Sequence, residues 1–168
     1  MTKENIGNKE SSTESRLKEF EEKLDILLAN LIIPSPKVSN NIDEIIGLSY
    51  DQLVKISAEE CSIFSYQLKQ YAYYIQQKEN RYRNIERWAN ECLKRVYGKE
   101  SSNYGTQYSK YEEKMYMIIN GNVYADKLHR IMLEYGAYAN ELHLLNNKLL
   151  DMSKSLQDIK YTKRIKDE

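Results

Sequence analysis

This sequence contains few of the residues that interrupt a helix. It has six glycines and two prolines among 168 residues, and both prolines, Pro34 and Pro36, lie in the first quarter of the chain. Proline is the residue that a helix interior tolerates least, so the sequence after Pro36 is free to form long helices. Only 41% of the residues are hydrophobic and 30% are charged. That balance argues against a large globular core and is typical of helices with narrow apolar seams.

Cysteines and long apolar runs are also scarce. Cys61 and Cys92 fall on one predicted helix, where a rise of about 1.5 Å per residue places them too far apart for a disulfide. The chain has no secretory leader and no run of about 18 apolar residues, so we expect a soluble, cytoplasmic protein. Its net charge is zero, which excludes a strong overall field towards nucleic acid or a membrane.

The sequence lacks the residue patterns of an enzyme. His129 and His143 are separated by two heptads on one predicted helix, roughly 21 Å apart along its axis, so they cannot share a metal ion. The sequence contains no glycine-rich phosphate loop, no HExxH or GxSxG motif and no pair of CxxC motifs. We therefore predict a protein that is not an enzyme and that has no catalytic residue, no metal site and no cofactor.

Composition and spacing divide the chain into four parts. Residues 1–11 have almost no apolar side chains and are predicted to be disordered. Residues 12–32 repeat apolar side chains at alternating spacings of three and four, which predicts an N-terminal heptad helix. Residues 33–48 contain both prolines and are predicted to be a linker. Residues 49–168 are predicted to form a helical hairpin domain.

The hairpin domain begins with two predicted capping boxes, Ser49 with Gln52 and Ser57 with Glu60. In a capping box, the two side chains satisfy backbone amides that have no partner within the helix. A regular heptad pattern then runs from residue 61 to residue 96 and predicts the first long helix.

Gly98 is predicted to end the first long helix in the left-handed conformation, and the polar residues 99–109 are predicted to be a loop. The second long helix is predicted to span residues 109–162. Around Gly121 the sequence favours a kink and a break equally, and it does not decide between them.

The second long helix carries an apolar seam and a flanking apolar stripe. One neighbouring helix cannot cover both, and a small chain most easily finds further partners in copies of itself. We therefore predict an all-α protein, a long antiparallel helical hairpin with heptad seams plus a short N-terminal helix, that assembles as a homo-oligomer. The residues predicted to form the oligomer seam are Leu128, Met132, Tyr135, Leu142, Leu149 and Leu156. Asn146 falls at a seam position, where a polar side chain can fix helix register.

The stretch QYAYYIQQKENRYRNIERW, residues 70–88, mixes tyrosines and the only tryptophan with basic side chains. If Tyr71, Ile75, Tyr82 and Ile85 face the seam, helical periodicity places Tyr73 and Tyr74 on the outer side, in rows that continue with basic side chains and Trp88. We call this predicted surface the aromatic-basic face; its residues are Tyr73, Tyr74, Arg81, Arg87, Trp88, Lys94 and Arg95. Bases stack on aromatic rings with about 1–3 kcal/mol each and cations neutralise phosphates, so the face suits single-stranded DNA. The same residue types are typical of a protein interface.

The parts of the chain from about residue 53 to the C-terminus follow a distinctive order. A helix with YAYYIQQKENRYRNIERW is followed by a polar loop, by YSKYEEKMYMII and by LHRIMLEYGAYANELHLLNNKLLDMSKSLQDIKYTKR. This order resembles the UvsY family of phage recombination mediators; Ile159, Lys160 and Lys163 match the family's C-terminal basic run, without its Arg-Gly pair. The resemblance implies an oligomer in the infected host cell that binds single-stranded DNA, a RecA-like recombinase and a single-strand binding protein.

The sequence leaves two hypotheses open. In the first, the chain is a non-enzymatic, oligomeric single-stranded DNA-binding protein that acts in phage recombination or replication as a recombinase mediator. In the second, it is a helical virion or scaffold assembly protein with no nucleic-acid binding, and the aromatic-basic face is a subunit interface. Binding of a labelled oligonucleotide distinguishes the two.

Overall fold

The structure is a computed structural model that describes residues 15, 16, 18–23, 26, 42–106 and 108–167. Its helices are α1 (Ile42–Ile46), α2 (Tyr50–Lys55), α3 (Ala58–Glu100), α4 (Tyr111–Gly121) and α5 (Val123–Asp167), with a 3-10 turn at Ser101–Asn103. Residues 15, 16, 18–23 and 26, which we call the N-terminal segment, are helical as well. The described residues contain no strand, so the predicted all-α class is confirmed. None of the helices among them is long and apolar enough to cross a membrane.

The chain forms two compact units, and each unit contains part of both long helices. The first takes in the described residues of Met1–Ile32 and Asn80–Ala139, and the second those of Ile33–Glu79 and Asn140–Glu168. Helices α3 and α5 pack against each other within each unit, which confirms the predicted hairpin. The division falls inside both helices and so differs from the predicted single hairpin domain of residues 49–168.

Each unit has its own apolar core. In the first unit, α3, α4 and α5 contribute the buried residues Ile85, Ala89, Leu93, Ile118, Ala125, Leu128 and Ile131. In the second unit, α1, α3 and α5 contribute Ile42, Ile45, Cys61, Leu68, Ala72, Ile75, Leu149 and Leu156. Spacings of three and four within each helix bring these residues to one side, as the heptad pattern predicts.

The six residues predicted to form the oligomer seam lie inside the chain. The three that are buried in the two cores are Leu128, Leu149 and Leu156. The three that are partly buried against these cores are Met132, Tyr135 and Leu142. The structure therefore corrects the assignment of this seam to contacts between copies. Helix α3 already covers the seam within the same chain, because both helices turn their apolar sides towards each other.

Both predicted capping boxes are present. The Ser49 hydroxyl accepts a hydrogen bond from the Gln52 amide at 3.4 Å, and the Gln52 side chain accepts one from the Ser49 amide at 2.8 Å. The Ser57 amide donates to the Glu60 carboxylate at 2.6 Å, and the Glu60 amide donates to the Ser57 hydroxyl at 3.1 Å. The hydrogen bond from the Ser57 backbone lowers the pKa of the Glu60 carboxyl. These bonds define where α2 and α3 begin.

The prediction for Gly98 is wrong. Gly98 lies inside α3, which continues to Glu100, and the only described residue with a positive φ is Gly105 at 72°. The predicted loop of residues 99–109 is accordingly shorter and begins with the 3-10 turn. A glycine costs a helix only about 1 kcal/mol, so α3 continues through Gly98 to Glu100.

The predicted helix of residues 109–162 is two helices. Asn122 leaves the helical conformation, with φ −126° and ψ 109°, and separates α4 from α5. Its side-chain oxygen accepts hydrogen bonds from the backbone amides of Tyr124 at 2.9 Å and Ala125 at 3.2 Å, which caps α5. Its side-chain nitrogen donates to the Glu100 carboxylate at 2.7 Å. Of the two possibilities that the sequence leaves open here, the structure shows the break.

The N-terminal predictions fall only partly on described residues. The predicted disorder of residues 1–11 lies outside them. Within the predicted heptad helix of residues 12–32, each described residue is helical. The predicted linker of residues 33–48 contains α1, where Ile42 and Ile45 are each only 4% exposed. Burial of these two side chains stabilises a helix that the linker prediction did not include.

Candidate nucleic-acid interface

Helix α3 carries all seven residues of the predicted aromatic-basic face, but the two units divide them. Tyr73 and Tyr74 belong to the second unit, and the other five belong to the first. Tyr73 is 47% exposed. Tyr74 packs against the core of its unit, and Nζ of Lys78 lies 4.7 Å from the centroid of its ring. Tyr73 is therefore the more open ring of this pair.

Trp88 does not have the outward position that the sequence predicts. Its half-buried ring stacks on Phe20 of the N-terminal segment, with ring centroids 5.1 Å apart and an interplanar angle of 15°. Both rings pack against the core of the first unit. The prediction for Trp88 is wrong because the N-terminal segment adds an apolar layer that the heptad pattern of α3 alone does not include.

Three basic residues of the face, Arg87, Lys94 and Arg95, are exposed in the first unit. Nζ of Lys94 donates a hydrogen bond to the Glu91 carboxylate at 2.8 Å. This contact raises the pKa of Lys94 and lowers the pKa of Glu91. Arg81 is half-buried. Arg87 and Lys94 are two helical turns apart and share one side of α3, and Arg95, the next residue, lies about 100° further around the helix.

The structure adds an aromatic pair that the sequence analysis missed. The ring centroids of Tyr97 and Tyr111 lie 4.5 Å apart at an interplanar angle of 49°, which joins the end of α3 to the start of α4. Tyr111 is 48% exposed and adds, after Glu91, to the rise in the pKa of Lys94. At Gly98, no atom lies within 4 Å of where a Cβ would be, so α3 is open there.

We call the exposed cations and this aromatic pair together the α3–α4 surface; its residues are Arg87, Lys94, Arg95, Tyr97 and Tyr111. Tyr97 follows Lys94 by three residues, so helical periodicity could have placed it beside that lysine. Tyr111 lies beyond the turn that contains Gly105, and no local pattern brings it to this surface. The chain reversal between α3 and α4 places it there.

The reactive side chains of the described part of the chain include two histidines and two cysteines. No three His, Cys, Asp or Glu side chains among those residues lie close enough to hold a metal ion. Nδ1 of His143 lies 3.3 Å from the Glu79 carboxylate. Burial raises the pKa of the Cys61 and Cys92 thiols, so both are mainly protonated at neutral pH.

A helical hairpin does not by itself indicate a function, because similar folds support many activities. The chain matches no protein-family model, no curated protein and no solved structure. We therefore infer the function from the chemistry of the α3–α4 surface and its surroundings.

Proposed function

We propose that this chain is a non-enzymatic, oligomeric protein that binds single-stranded DNA and acts as a recombinase mediator in phage recombination or replication. The observation that carries the proposal is the α3–α4 surface, where the exposed Lys94 lies near the Tyr97–Tyr111 pair and the exposed Arg87 and Arg95 lie on the same helix. The resemblance to the UvsY family supports the cellular role.

The charge distribution favours a polyanion at α3. Residues 57–99 contain 8 basic and 5 acidic residues, whereas residues 1–56 contain 7 basic and 10 acidic residues. Arg87 and Arg95 are separated by roughly 12 Å along the helix axis, at about 1.5 Å per residue. That distance lets the two guanidinium groups contact different phosphates of one strand.

The ion pair between Lys94 and Glu91 does not close this surface to DNA. The two side chains are 53% and 60% exposed, and exposed pairs of this kind contribute only about 0–1 kcal/mol. A phosphate can therefore replace the Glu91 carboxylate at Lys94.

The aromatic pair supplies a place for a base to stack. The exposed part of the Tyr111 ring faces solvent while Tyr97 packs against it. A base that stacks on such a ring contributes about 1–3 kcal/mol. Because every base has a flat face, we expect little preference for sequence.

Fluorescence anisotropy of a labelled oligo(dT) strand at rising salt tests the proposal. We expect the double variant Arg87→Ala, Arg95→Ala to bind the strand about tenfold more weakly. The plot of log K against log salt should also become less steep by about 1.4, which is about 0.7 for each lost phosphate contact. The matched control replaces two exposed lysines of α5, Lys148→Ala with Lys154→Ala. Absence of binding at low salt, or an equal loss in the control, would remove the proposal.

The mediator role needs its own measurement. We expect the chain to speed the loading of a RecA-like recombinase onto DNA that a single-strand binding protein already covers. If the chain binds DNA without changing this loading rate, the proposed DNA-binding function stands and the proposed mediator role is contradicted.

One observation favours the second hypothesis, a helical virion or scaffold assembly protein without nucleic-acid binding. Trp88, which the sequence placed on the aromatic-basic face, packs against protein through its stack on Phe20. On α5, Leu133 and Leu144 are 57% and 54% exposed, which leaves apolar side chains for contacts with another chain. Native mass that rises with concentration, together with no anisotropy change at low salt, would support this function instead.

A further inference from the structure

Phe20 covers one face of the Trp88 ring. The two rings are nearly parallel, at 15°, with centroids 5.1 Å apart. Aromatic rings stack favourably at such separations, and bases stack on aromatic side chains with the same flat contact. A base and the Phe20 ring cannot occupy the same face of Trp88.

Two hydrogen bonds and the Phe20–Trp88 stack are among the contacts that hold the N-terminal segment in this place. Arg16 donates a hydrogen bond to the Tyr124 hydroxyl at 3.3 Å, and its guanidinium carbon lies 5.5 Å from the centroid of that ring. The Tyr135 hydroxyl donates to the Glu21 carboxylate at 3.4 Å. These hydrogen bonds are long, and the Arg16 side chain is exposed, so each is weak. Among the described residues of the segment, Phe20 is the one that packs against the core of the first unit.

We infer that the N-terminal segment is an intramolecular competitor of single-stranded DNA: Phe20 covers Trp88 in the free protein and leaves it when a base stacks there. The inference rests on the proposed DNA-binding function. Trp88 and Arg95 are two helical turns apart and share one side of α3, so a strand held at Arg95 reaches Trp88 once Phe20 has left.

Trp88 is the only tryptophan of the chain, so its fluorescence reports on this contact directly. In the Phe20→Ala variant we expect acrylamide quenching of Trp88 to increase. We also expect the affinity for labelled oligo(dT) to increase by about fivefold or more, the low end of the effect of stacking one base. Arg16→Ala loosens the segment without touching Trp88 and should change both readouts in the same direction by less.

The matched control is Ile26→Ala. Ile26 lies in the same segment and is 70% exposed, so its loss removes an apolar side chain without uncovering Trp88. We expect neither quenching nor affinity to change. Circular dichroism checks that each variant keeps its helices. If the Phe20→Ala chain is unfolded, Arg16→Ala tests the inference instead, because that substitution removes no buried group.

The outcomes separate this inference from the function on which it rests. If the wild-type chain binds DNA and Phe20→Ala increases quenching without increasing affinity, the competitor role is overturned and DNA binding stands. If quenching does not change in Phe20→Ala, Phe20 does not cover Trp88 in solution and the inference fails. If no variant binds the oligonucleotide, the inference and the proposed function fail together.

Discussion

Ser65 of α3 and Ser153 of α5 contact each other through their hydroxyls in the core of the second unit. Each hydroxyl donates to the other residue's backbone carbonyl at 3.0 Å, and the two hydroxyl oxygens are 2.8 Å apart. Ser65 is 2% exposed and Ser153 is fully buried at 0%. Because each serine reaches the other's backbone, the two helices leave no room for a larger side chain at this point.

We expect Ser153→Leu to lower the free energy of unfolding by about 2–4 kcal/mol. The larger side chain overpacks the contact, and the buried Ser65 carbonyl loses the hydrogen bond that the Ser153 hydroxyl donates to it. Urea denaturation followed by circular dichroism measures the change. The control is Ser155→Leu, since Ser155 is exposed on the same helix and its replacement should stay within about 0.5 kcal/mol of the wild type. Equal losses in the two variants would contradict the packing account.

Gly98→Ala should stabilise the protein by about 0.5–1 kcal/mol. Gly98 lies inside α3 with no atom within 4 Å of an added Cβ, and alanine loses less conformational freedom than glycine when a helix forms. The matched comparison is Gly105→Ala, which should destabilise by about 1–2 kcal/mol. Gly105 has a φ of 72°, and an added Cβ would lie 2.9 Å from the Ser109 hydroxyl. Thermal unfolding of both variants should therefore shift in opposite directions.

Asn146→Leu should raise the free energy of unfolding by about 1 kcal/mol. Asn146 is only 6% exposed, and its side-chain oxygen has no hydrogen-bond partner within the described part of the chain. An unsatisfied buried polar atom destabilises the folded state, and an apolar replacement removes it. Asn147→Leu is the control, because Asn147 is exposed next to it. A loss of stability in Asn146→Leu would show that the polar side chain has a partner in solution.

Lys163→Met should loosen α2 locally. Nζ of Lys163 donates hydrogen bonds to the backbone carbonyls of Leu53 at 3.0 Å and Val54 at 2.9 Å, and also to that of Ile56. Carbonyls at the end of a helix have no partner within it, so the ammonium group stabilises this end, with about 1.5–3 kcal/mol for a charged hydrogen bond. The exchange of backbone amide hydrogens should become faster in α2 and stay unchanged in the other helices. Lys154→Met, at an exposed site of α5, should leave the exchange of α2 unchanged.

The two thiols should react slowly with iodoacetamide in the folded protein. Burial raises the pKa of Cys61 and Cys92, so the folded chain holds these protons to higher pH than the unfolded chain. Their contribution to stability is complete below the ordinary thiol pKa of about 8.5 and decreases as the pH rises above it. We expect Cys92, which is half-buried, to react before the buried Cys61. Mass spectrometry of tryptic peptides measures both rates, and faster labelling of Cys61 would contradict the burial.

The helix starts of this protein could be predicted because they depend on neighbouring residues. The capping boxes at Ser49 and Ser57 use side chains only three residues apart, and both form as predicted. The end of α3 could not be predicted in the same way. Gly98 has the residue type of a helix cap, but the chain leaves the helix later, and Gly105 takes the left-handed conformation instead.

The candidate site also combines features that local sequence predicts with features that it does not predict. Periodicity predicted that Arg87, Lys94 and Arg95 are exposed, and they are. It placed Trp88 with them, because a heptad pattern on one helix does not show which other segment packs on its outer side. Tyr111 was missed for the related reason that its neighbours on the surface are distant in sequence.

By itself, the sequence determined that the chain is helical, which sides of α3 and α5 are apolar, and where α2 and α3 begin. Hydrogen bonds and side-chain spacing within a few residues control these features. Only the tertiary structure decided that the apolar seam is filled within one chain, that Phe20 covers Trp88, and that Tyr97 meets Tyr111. These contacts join residues that are far apart in sequence, so their free energy depends on how whole helices pack and not on any local pattern.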